Sequence, residues 1–350
     1  MNKAITIAGR QIGPGCEPYV IAEMSGNHNG DINRALELVE LAHRSGADAV
    51  KLQTYTADTI TLNCDASDFQ IEGGLWDGRT LYELYDEAHT PWAWHRMLFD
   101  KAAKLGITIF SSPFDATAVD FLEDLNCPAY KVASFEAVDL PLIQRVAETK
   151  KPMIISTGMA TIDEINEALD AARSGGADQI ILLHCVSGYP TLAEEANLAT
   201  IKDMALRFGV PVGLSDHTMG TSVSVAAVVL GAVVIEKHFT LARADGGPDA
   251  AFSLEADELA QLTRDCKMAW QAVGESGYDH KPSEEQNVQF RRSLYAVADI
   301  GAGQLLTPKN VRSIRPGYGL APKHLADVIN RTAKADIARG TPIHWDLLKD

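Results

Sequence analysis

The sequence is poor in cysteine and in positive charge, and each shortage excludes a class of protein. Its five cysteines are scattered through 350 residues without a Cys-X-X-Cys pair, which excludes a disulfide framework and fits reduced thiols. Lysine and arginine total 31 against 47 aspartates and glutamates, a net charge of −16. Such an acidic surface argues against nucleic acid or an anionic membrane as a partner.

Long hydrophobic runs are also missing. No apolar run reaches the ~20 residues that a membrane span requires. The first nine residues lack the apolar segment of a signal peptide. Hydrophobic residues still make up 46% of the chain, an ordinary globular composition. We therefore expect a cytoplasmic protein without a membrane partner.

What the sequence does contain is a repeated alternation of short apolar runs with amphipathic stretches. The stretch 33–45 has a helical period and ends at Gly46, and Thr161 with Glu164 forms a capping box at the start of another helix. Eight apolar runs are the number that an α/β fold of the (β/α)8 or TIM-barrel type requires. They cover residues 19–23, 49–53, 108–111, 129–133, 153–156, 180–184, 212–214 and 233–237.

The pattern changes near residue 280, where Lys281 and Pro282 lie in a polar linker. Short β-like runs at 293–298 and 311–314 follow, among many glycines and prolines. We predict a barrel domain over residues 1–280 and a small β-rich domain over 281–350. A domain this short is expected to be stabilised by packing against the barrel or against a second subunit.

The connection between the second and third predicted strands, residues 54–88, is unusually long. Loops of this length on the catalytic face of a barrel usually form a lid or a specificity wall. The alternative is a surface decoration that packs Trp92 and Trp94 on the barrel.

Active sites of such barrels lie at the carboxyl ends of the strands, where this sequence collects polar residues. Side chains alternate along a strand, so Glu236 and His238 share the inner face while Lys237 faces the helices or the rim. The inner faces would bring six side chains into one cavity: Glu23, Lys51, Lys131, His217, Glu236 and His238.

Lys51 and Lys131 both occur in apolar strand contexts, where an unpaired lysine is costly. With nearby serine hydroxyls they would form a cage for a phosphate or a carboxylate. Two alternatives remain: structural pairing with Glu23 and Glu236, or Schiff-base catalysis by a desolvated lysine. The serines near the strand ends are Ser112, Ser134, Ser156 and Ser215.

His217 and His238 follow consecutive strands and so become neighbours at the mouth of the barrel. Two imidazoles with carboxylates or waters suit a divalent cation, and we favour Mn²⁺ or Mg²⁺ over a closed zinc site. The alternative is a pair of hydrogen-bonded core histidines. After the eighth strand, Asp245 or Asp249 would bind sugar hydroxyls; the alternative is that they support an Asx turn.

Several motifs, in order, resemble the sialic acid synthase family. The tail is similar to the antifreeze-like (SAF) domain of that family. Residues 78–82 and 90–95 (GRTLY, TPWAWH) resemble the pseudaminic acid branch, and Ser187 stands in SGYP where the family usually has an Asn-Glu pair. The motifs are residues 22–30 (AEMSGNHNG), 50–53 (VKLQ), 215–218 (SDHT), 236–240 (EKHFT) and 313–320 (SIRPGYGL).

The resemblance implies condensation of phosphoenolpyruvate with a six-carbon amino-sugar aldehyde and water, giving a nine-carbon nonulosonic acid and phosphate. For the pseudaminic acid branch the sugar is 2,4-diacetamido-2,4,6-trideoxy-L-altrose. The metal would be Mn²⁺, with Mg²⁺ or Co²⁺ as alternatives, bound by His217 and His238. The family also implies a homodimer that exchanges its SAF domains.

The resemblance also assigns roles to residues. Glu23 would act in catalysis with the two histidines, Glu236 and Asp249 would hold the sugar, and Arg315 would reach the sugar of a partner subunit. Phosphoenolpyruvate would contact Lys51, Ser112, Lys131, Ser134, Ser156, Ser187, Tyr189 and Ser215. Alternative functions are an N-acetylneuraminate or legionaminate synthase, a Schiff-base pyruvate aldolase, and a sugar-binding protein on a degenerate barrel.

Overall fold

The computed structural model describes residues 4–349. Contacts divide the chain into two compact units, one up to Gly274 and one from Glu275. The sequence pattern placed this boundary at residue 280, within the polar stretch that follows Gly274. Each unit has its own hydrophobic core.

The first unit is a closed barrel of eight parallel strands, β3 to β10, in which the last strand pairs with the first. This confirms the predicted TIM barrel. Almost every strand residue is buried, because helices cover the outer face and side chains fill the interior. The strands are β3 (Tyr19–Glu23), β4 (Ala49–Thr54), β5 (Thr108–Pro113), β6 (Tyr130–Val132), β7 (Met153–Ser156), β8 (Ile180–Cys185), β9 (Val212–Asp216) and β10 (Val234–His238).

The helices follow the sequence pattern. Asp31 caps the first helix, whose buried face includes Leu38 and Val39, and the capping box of Thr161 with Glu164 is present. Among residues 4–349, no helix has the length and apolarity needed to cross a membrane. Those of this unit are α1 (Ile32–Arg44), α2 (Ala57–Ile60), α3 (Leu81–Ala88), α4 (Trp92–Leu105), α5 (Ala116–Asp124), α6 (Leu140–Ala147), α7 (Ile162–Ser174), α8 (Ala199–Phe208), α9 (Ser222–Val229) and α10 (Ala256–Val273).

A short antiparallel hairpin precedes the barrel and was not predicted. Its strands are β1 (Ile5–Ile7) and β2 (Arg10–Ile12). Ile7 and Ile12 are fully buried in the barrel's core cluster. The hairpin lies before the first residues of β3, so it belongs to the end of the barrel opposite the strand carboxyl termini.

The long connection between β4 and α4 is ordered and partly helical. It contains α2, two single turns at Ser67–Phe69 and Gly74–Trp76, and α3. Thr80 and Glu83 form a capping box at the start of α3. Tyr85 on α3 packs edge to face with Tyr55 at a centroid distance of 5.8 Å, which ties the segment to the end of β4.

The second unit contains the small β-rich domain predicted from the tail. It contains α11 (Pro282–Glu285), β11 (Ser293–Ala296), β12 (Val311–Ile314) and α12 (Leu325–Val328), and β11 and β12 are antiparallel. A separate core includes Leu294, Leu306 and Ile343.

Candidate active site

The barrel places the predicted polar residues at the carboxyl ends of its strands, with the expected alternation. Glu236 on β10 points into the barrel. Its neighbour Lys237 lies on the outer face, where its ammonium is 2.9 Å from Asp216 and donates to the carbonyl of Thr218 at 2.6 Å. The Lys237 side chain therefore packs between the barrel and its helices, and the Glu236 side chain lies in the barrel interior.

Inside the barrel, two lysines and two glutamates form one buried cluster. The Lys51 ammonium lies 2.6 Å from Glu23 Oε2 and 3.8 Å from Glu236 Oε1. The Lys131 ammonium is 3.4 Å from the same Glu236 oxygen. All four side chains are no more than 6% exposed. Glu236 is therefore held between two cations.

The electrostatics of this cluster are asymmetric. Burial raises the pKa of Glu23 to about 7, despite the opposing Lys51 ammonium. Burial also opposes the charged forms of Lys51 and Glu236, but their opposite-charge neighbours prevail, so the pKa of Lys51 is raised and that of Glu236 is lowered. Burial lowers the pKa of Lys131. When Glu23 is protonated, two ammonium groups face one carboxylate, and the pocket favours an anion.

Serine hydroxyls surround the cluster. Lys51 donates to Ser112 Oγ at 3.2 Å, and Ser215 Oγ donates to Glu236 Oε1 at 3.2 Å. The hydroxyls of Ser156 and Ser187 are buried without a hydrogen-bond partner among the described residues. Buried hydroxyls normally have partners, so these two orphans indicate a place for a ligand with hydrogen-bonding oxygens.

Gly158 shows how closely two of these serines converge. A Cβ at Gly158 would lie 2.5 Å from Ser134 Cβ and 2.8 Å from Ser187 Oγ, too close for any side chain. Ser134 follows β6 and Ser187 follows β8, so the glycine after β7 lets the ends of three neighbouring strands approach one another. Both serine hydroxyls would lie 2.8 Å from the same Cβ position, so they converge on one place at the mouth of the barrel.

The two predicted metal ligands are neighbours. The rings of His217 and His238 are 5.5 Å apart, and Phe252 packs edge to face on His238 at 5.0 Å. His217 Nδ1 must donate to the Val186 carbonyl at 2.9 Å, because a carbonyl only accepts. This fixes the ring and leaves Nε2 as its ligand atom.

The protonation states fit a cation at these histidines. Burial and the nearby cations lower the pKa of His238 well below its usual value, so its ring is neutral, and its buried Nδ1 has no hydrogen-bond partner among residues 4–349. Burial opposes the charged form of His217, but the neighbouring Cys185 outweighs it and raises the pKa. A bound cation would displace that proton.

Within the described part of the chain, no three His, Cys, Asp or Glu side chains converge closely enough to hold a metal ion by themselves. The two imidazoles are therefore the protein ligands that the site offers, and the other positions would be filled by water or substrate oxygens. This donor set is that of an open site rather than a closed structural zinc.

The structure separates the two aspartates of the loop after β10. Asp249 is buried, and its Oδ2 accepts from Ser25 Oγ at 2.5 Å. Asp245 instead pairs with Arg34 at 2.5 Å on the rim. Asp249 is thus the buried one of the two, and its contact with the sugar stays a prediction. Ser25 itself has φ 46, a left-handed conformation that favours glycine, so its hydroxyl is held there at a cost.

The ring of Tyr189 lies 4.4 Å from the ring of His217.

Two residues that contact the site residues were not predicted from the sequence. Gln53 donates to Glu23 Oε1 at 3.2 Å, and its place on the strand face of Lys51 could have indicated it. Trp76, from the long connection, packs 5.7 Å from Tyr189; no local pattern signals that contact.

Arg315 belongs to the second unit, directly after β12, and its side chain is exposed. Its role toward a partner subunit stays a prediction, as do the individual roles of the other site residues.

Comparison with known proteins agrees with this geometry. The NeuB family model matches residues 38–278, and the SAF domain model matches residues 291–349. The chain is 44% identical to the pseudaminic acid synthase of Helicobacter pylori, over 94% of this chain and 97% of that protein. It is 35% identical to the N,N'-diacetyllegionaminic acid synthase of Legionella pneumophila, over 94% of each.

The solved structures include the N-acetylneuraminic acid synthetase of Leptospira borgpetersenii. It superposes with a TM-score of 0.74 at 29% identity, covering 82% of this chain and 96% of that one. Family models and relatives together span both units of the chain, which belongs to the NeuB family of nonulosonic acid synthases and ends in a SAF domain.

Proposed function

We propose that this chain is a pseudaminic acid synthase. It condenses phosphoenolpyruvate with the open-chain aldehyde of 2,4-diacetamido-2,4,6-trideoxy-L-altrose and water, and releases phosphate. The observation that carries the proposal is the buried cluster of Lys51, Lys131, Glu23 and Glu236 beside two histidines, in a chain 44% identical to pseudaminic acid synthases.

The lysines and serines bind phosphoenolpyruvate. Lys51 and Lys131 neutralise its carboxylate and phosphate, and the orphaned hydroxyls of Ser156 and Ser187 donate to its oxygens. The remaining proposed contacts to phosphoenolpyruvate come from Ser112, Ser134, Ser215 and Tyr189. Fixed donors in a water-excluded pocket hold the enol in place without reorganisation during the reaction.

His217 and His238 would hold a divalent cation, Mn²⁺ in our proposal with Mg²⁺ or Co²⁺ as alternatives. When bound, it would supply Lewis-acid activation of the aldehyde carbonyl. By fixing the position of the cation, the two histidines would orient that carbonyl toward C3 of phosphoenolpyruvate.

The reaction forms a carbon–carbon bond and a carbon–oxygen bond and breaks the carbon–oxygen bond to phosphate. C3 of phosphoenolpyruvate attacks the aldehyde carbon, the aldehyde oxygen becomes a hydroxyl, and positive charge develops at C2. Water adds at C2 to give a hemiketal, which expels phosphate with the bridging oxygen and becomes the 2-keto acid. The two protons of the water end on the former aldehyde oxygen and on the released phosphate. Glu23 stabilises the cation and accepts the proton of the attacking water, a role that its pKa of about 7 supports at neutral pH.

Glu236 and Asp249 bind the sugar. The buried carboxylate of Asp249, fixed by Ser25, accepts hydrogen bonds from sugar hydroxyls or amides. Carboxylates on two sides of the mouth give the aldehyde one orientation.

We also propose that the protein is a cytoplasmic homodimer. In this dimer, Arg315 of one subunit completes the sugar site of its partner. The exposed guanidinium of Arg315 within the matched SAF domain supports it. Co-expression of His217→Ala and Arg315→Ala chains tests the exchange. Exchanged domains restore one intact site in each mixed dimer, whereas unexchanged domains leave every site inactive.

One observation favours a second candidate. Burial lowers the pKa of Lys131, as a Schiff-base lysine requires, which fits a pyruvate aldolase. Borohydride trapping of a pyruvate adduct on Lys131, with activity that survives chelation, would establish the aldolase instead.

The decisive experiment for the proposed function is a substrate panel. The purified protein is given phosphoenolpyruvate, Mn²⁺ and one aldose each, and phosphate release is followed. We expect the diacetamido-trideoxy-L-altrose to be used best. Preference for N-acetylmannosamine or for the legionaminate precursor would assign the chain to a neighbouring activity of the family.

A further inference from the structure

A tryptophan from the long connection joins the mouth of the barrel to the loop after β10. The indole nitrogen of Trp76 donates to the carbonyl of Pro248 at 2.9 Å. Pro248 directly precedes Asp249, and the same indole ring lies 5.7 Å from Tyr189. Trp76 thus touches two of the elements that carry proposed substrate contacts, although it is 172 residues from Pro248 in the sequence.

Trp76 also lines a cleft of about 250 Å³ at this edge of the barrel. The cleft is open, since Leu75 beside the indole is 48% exposed. Its charged groups are already paired: Arg79 lies 2.6 Å from Glu87 and donates to the carbonyl of Glu83. The exposed lining of the cleft is more polar than apolar, and its apolar part consists of the Trp76 ring with Leu75, Pro248 and Ala251. The lining residues are Leu75, Trp76, Arg79, Glu87, Gly247, Pro248 and Ala251.

The loop that Trp76 contacts is braced from the opposite side. Asn29 donates to the carbonyl of Gly246 at 3.0 Å. Gly247 has φ 118, and a Cβ there would lie 2.2 Å from Asn29 Oδ1. The indole is therefore held against a fixed support before any substrate arrives, which lowers the entropy cost of binding against it.

We propose that Trp76 determines specificity for the sugar: its ring is the wall of the outer part of the sugar subsite and packs on the C6 methyl group of a 6-deoxy sugar. This inference rests on the proposed function and deepens it. The proposed diacetamido-trideoxy sugar carries a methyl group at C6, where its 6-hydroxyl analogue carries a hydroxymethyl group. An aromatic face with a polar edge buries such methyls while its N–H stays bonded.

The test compares two aldoses that differ only at C6: the diacetamido 6-deoxy sugar and its 6-hydroxyl analogue. Discrimination by one methyl in an apolar pocket is about 10–200-fold. We expect Trp76→Ala to lower kcat/KM for the 6-deoxy sugar by about this factor, because its KM rises. The kcat/KM for the 6-hydroxyl sugar should change little, and the KM for phosphoenolpyruvate should stay the same. Trp76→Phe, which keeps a ring but loses the N–H, should retain most of the preference.

Leu62→Ala is the matched control, because Leu62 is exposed in the same segment and does not line the cleft. Calorimetry with the reduced, unreactive sugar supplies a readout that is independent of turnover. If the wild-type protein is active but Trp76→Ala and Trp76→Phe leave sugar KM and C6 preference unchanged, the role of Trp76 is wrong. If KM rises equally for both substrates, Trp76 only supports the fold and the proposal is also wrong. A wild-type protein that releases no phosphate with any sugar overturns the proposed function itself.

Discussion

At the scale of single residues, the mouth of the barrel depends on close approaches that only certain side chains allow. Gly158 lies between Ser134 and Ser187, and the space that a Cβ would need is already filled. Its φ of 34 also lies in the left-handed region, where other residues are strained. The same position therefore fixes the backbone and the spacing of two hydroxyls.

We predict that Gly158→Ala weakens phosphoenolpyruvate binding at least tenfold, because the new methyl group forces Ser134 and Ser187 apart. Isothermal titration with phosphoenolpyruvate measures the effect. Gly209→Ala serves as the control for left-handed strain alone, since a Cβ at Gly209 meets nothing within 4 Å. Equal affinity in both variants would show that the two serines do not form the phosphate site.

A buried ion pair on the outer face of β10 gives a second residue-scale prediction. Lys237 and Asp216 are 1% exposed, and removing one partner of such a pair typically costs about 3–5 kcal/mol. Lys237→Met should lower the free energy of unfolding by about that amount. The control is Lys101→Met, which breaks an exposed pair with Glu40 and should cost about 1 kcal/mol or less. Urea denaturation measures both, and similar costs would contradict the assignment of Lys237 to the packing.

At the scale of elements, the turn Phe135–Val138 after β6 carries a carboxyl group, that of Glu136, with one unpaired buried oxygen among the described residues. Glu136 Oε2 is buried and accepts no hydrogen bond among the described residues. Burial raises the pKa of Glu136 to about 7. The protonated form is therefore favoured in the folded state, and this contribution to stability is present below pH 4.5 and is lost as the pH rises through 7.

Glu136→Gln removes that pH dependence. We expect the variant and the wild-type protein to be equally stable at pH 5, and the variant to be more stable by roughly 1–3 kcal/mol at pH 8. Urea midpoints at the two pH values measure the difference. A variant that is less stable than the wild type at pH 8 would mean that the Glu136 carboxylate has a stabilising partner.

The elements also show what local sequence pattern can and cannot predict. The eight barrel strands were predictable because each is a short, buried apolar run, and strand parity correctly turned Glu236 inward and Lys237 outward. The hairpin of β1 and β2 was missed, because strands of three residues are too short to show a period. The bond from Trp76 to Pro248 joins segments 172 residues apart, and nothing in either segment encodes it.

At the scale of the whole molecule, the chain combines a barrel that carries the chemistry with a small domain that has its own core. The juxtaposition of Lys51, Lys131, Glu23 and Glu236 was predictable as a set, since parallel strands bring their carboxyl ends together. The proposed role of Arg315 toward a sugar stays a prediction, because it involves a second chain. The net charge of −16 and a buried pair of lysines are compatible, since a buried pocket sets its own local field.

The central claim is that Lys51 and Lys131 hold phosphoenolpyruvate beside a cation bound by His217 and His238. A crystal structure with phosphoenolpyruvate and Mn²⁺, with an anomalous difference map, tests it most directly. We expect a manganese peak within coordination distance of both imidazoles, and phosphoenolpyruvate oxygens within hydrogen-bonding distance of both ammonium groups. Manganese bound elsewhere, or phosphoenolpyruvate away from the lysines while Glu23 and Glu236 keep them paired, would contradict it.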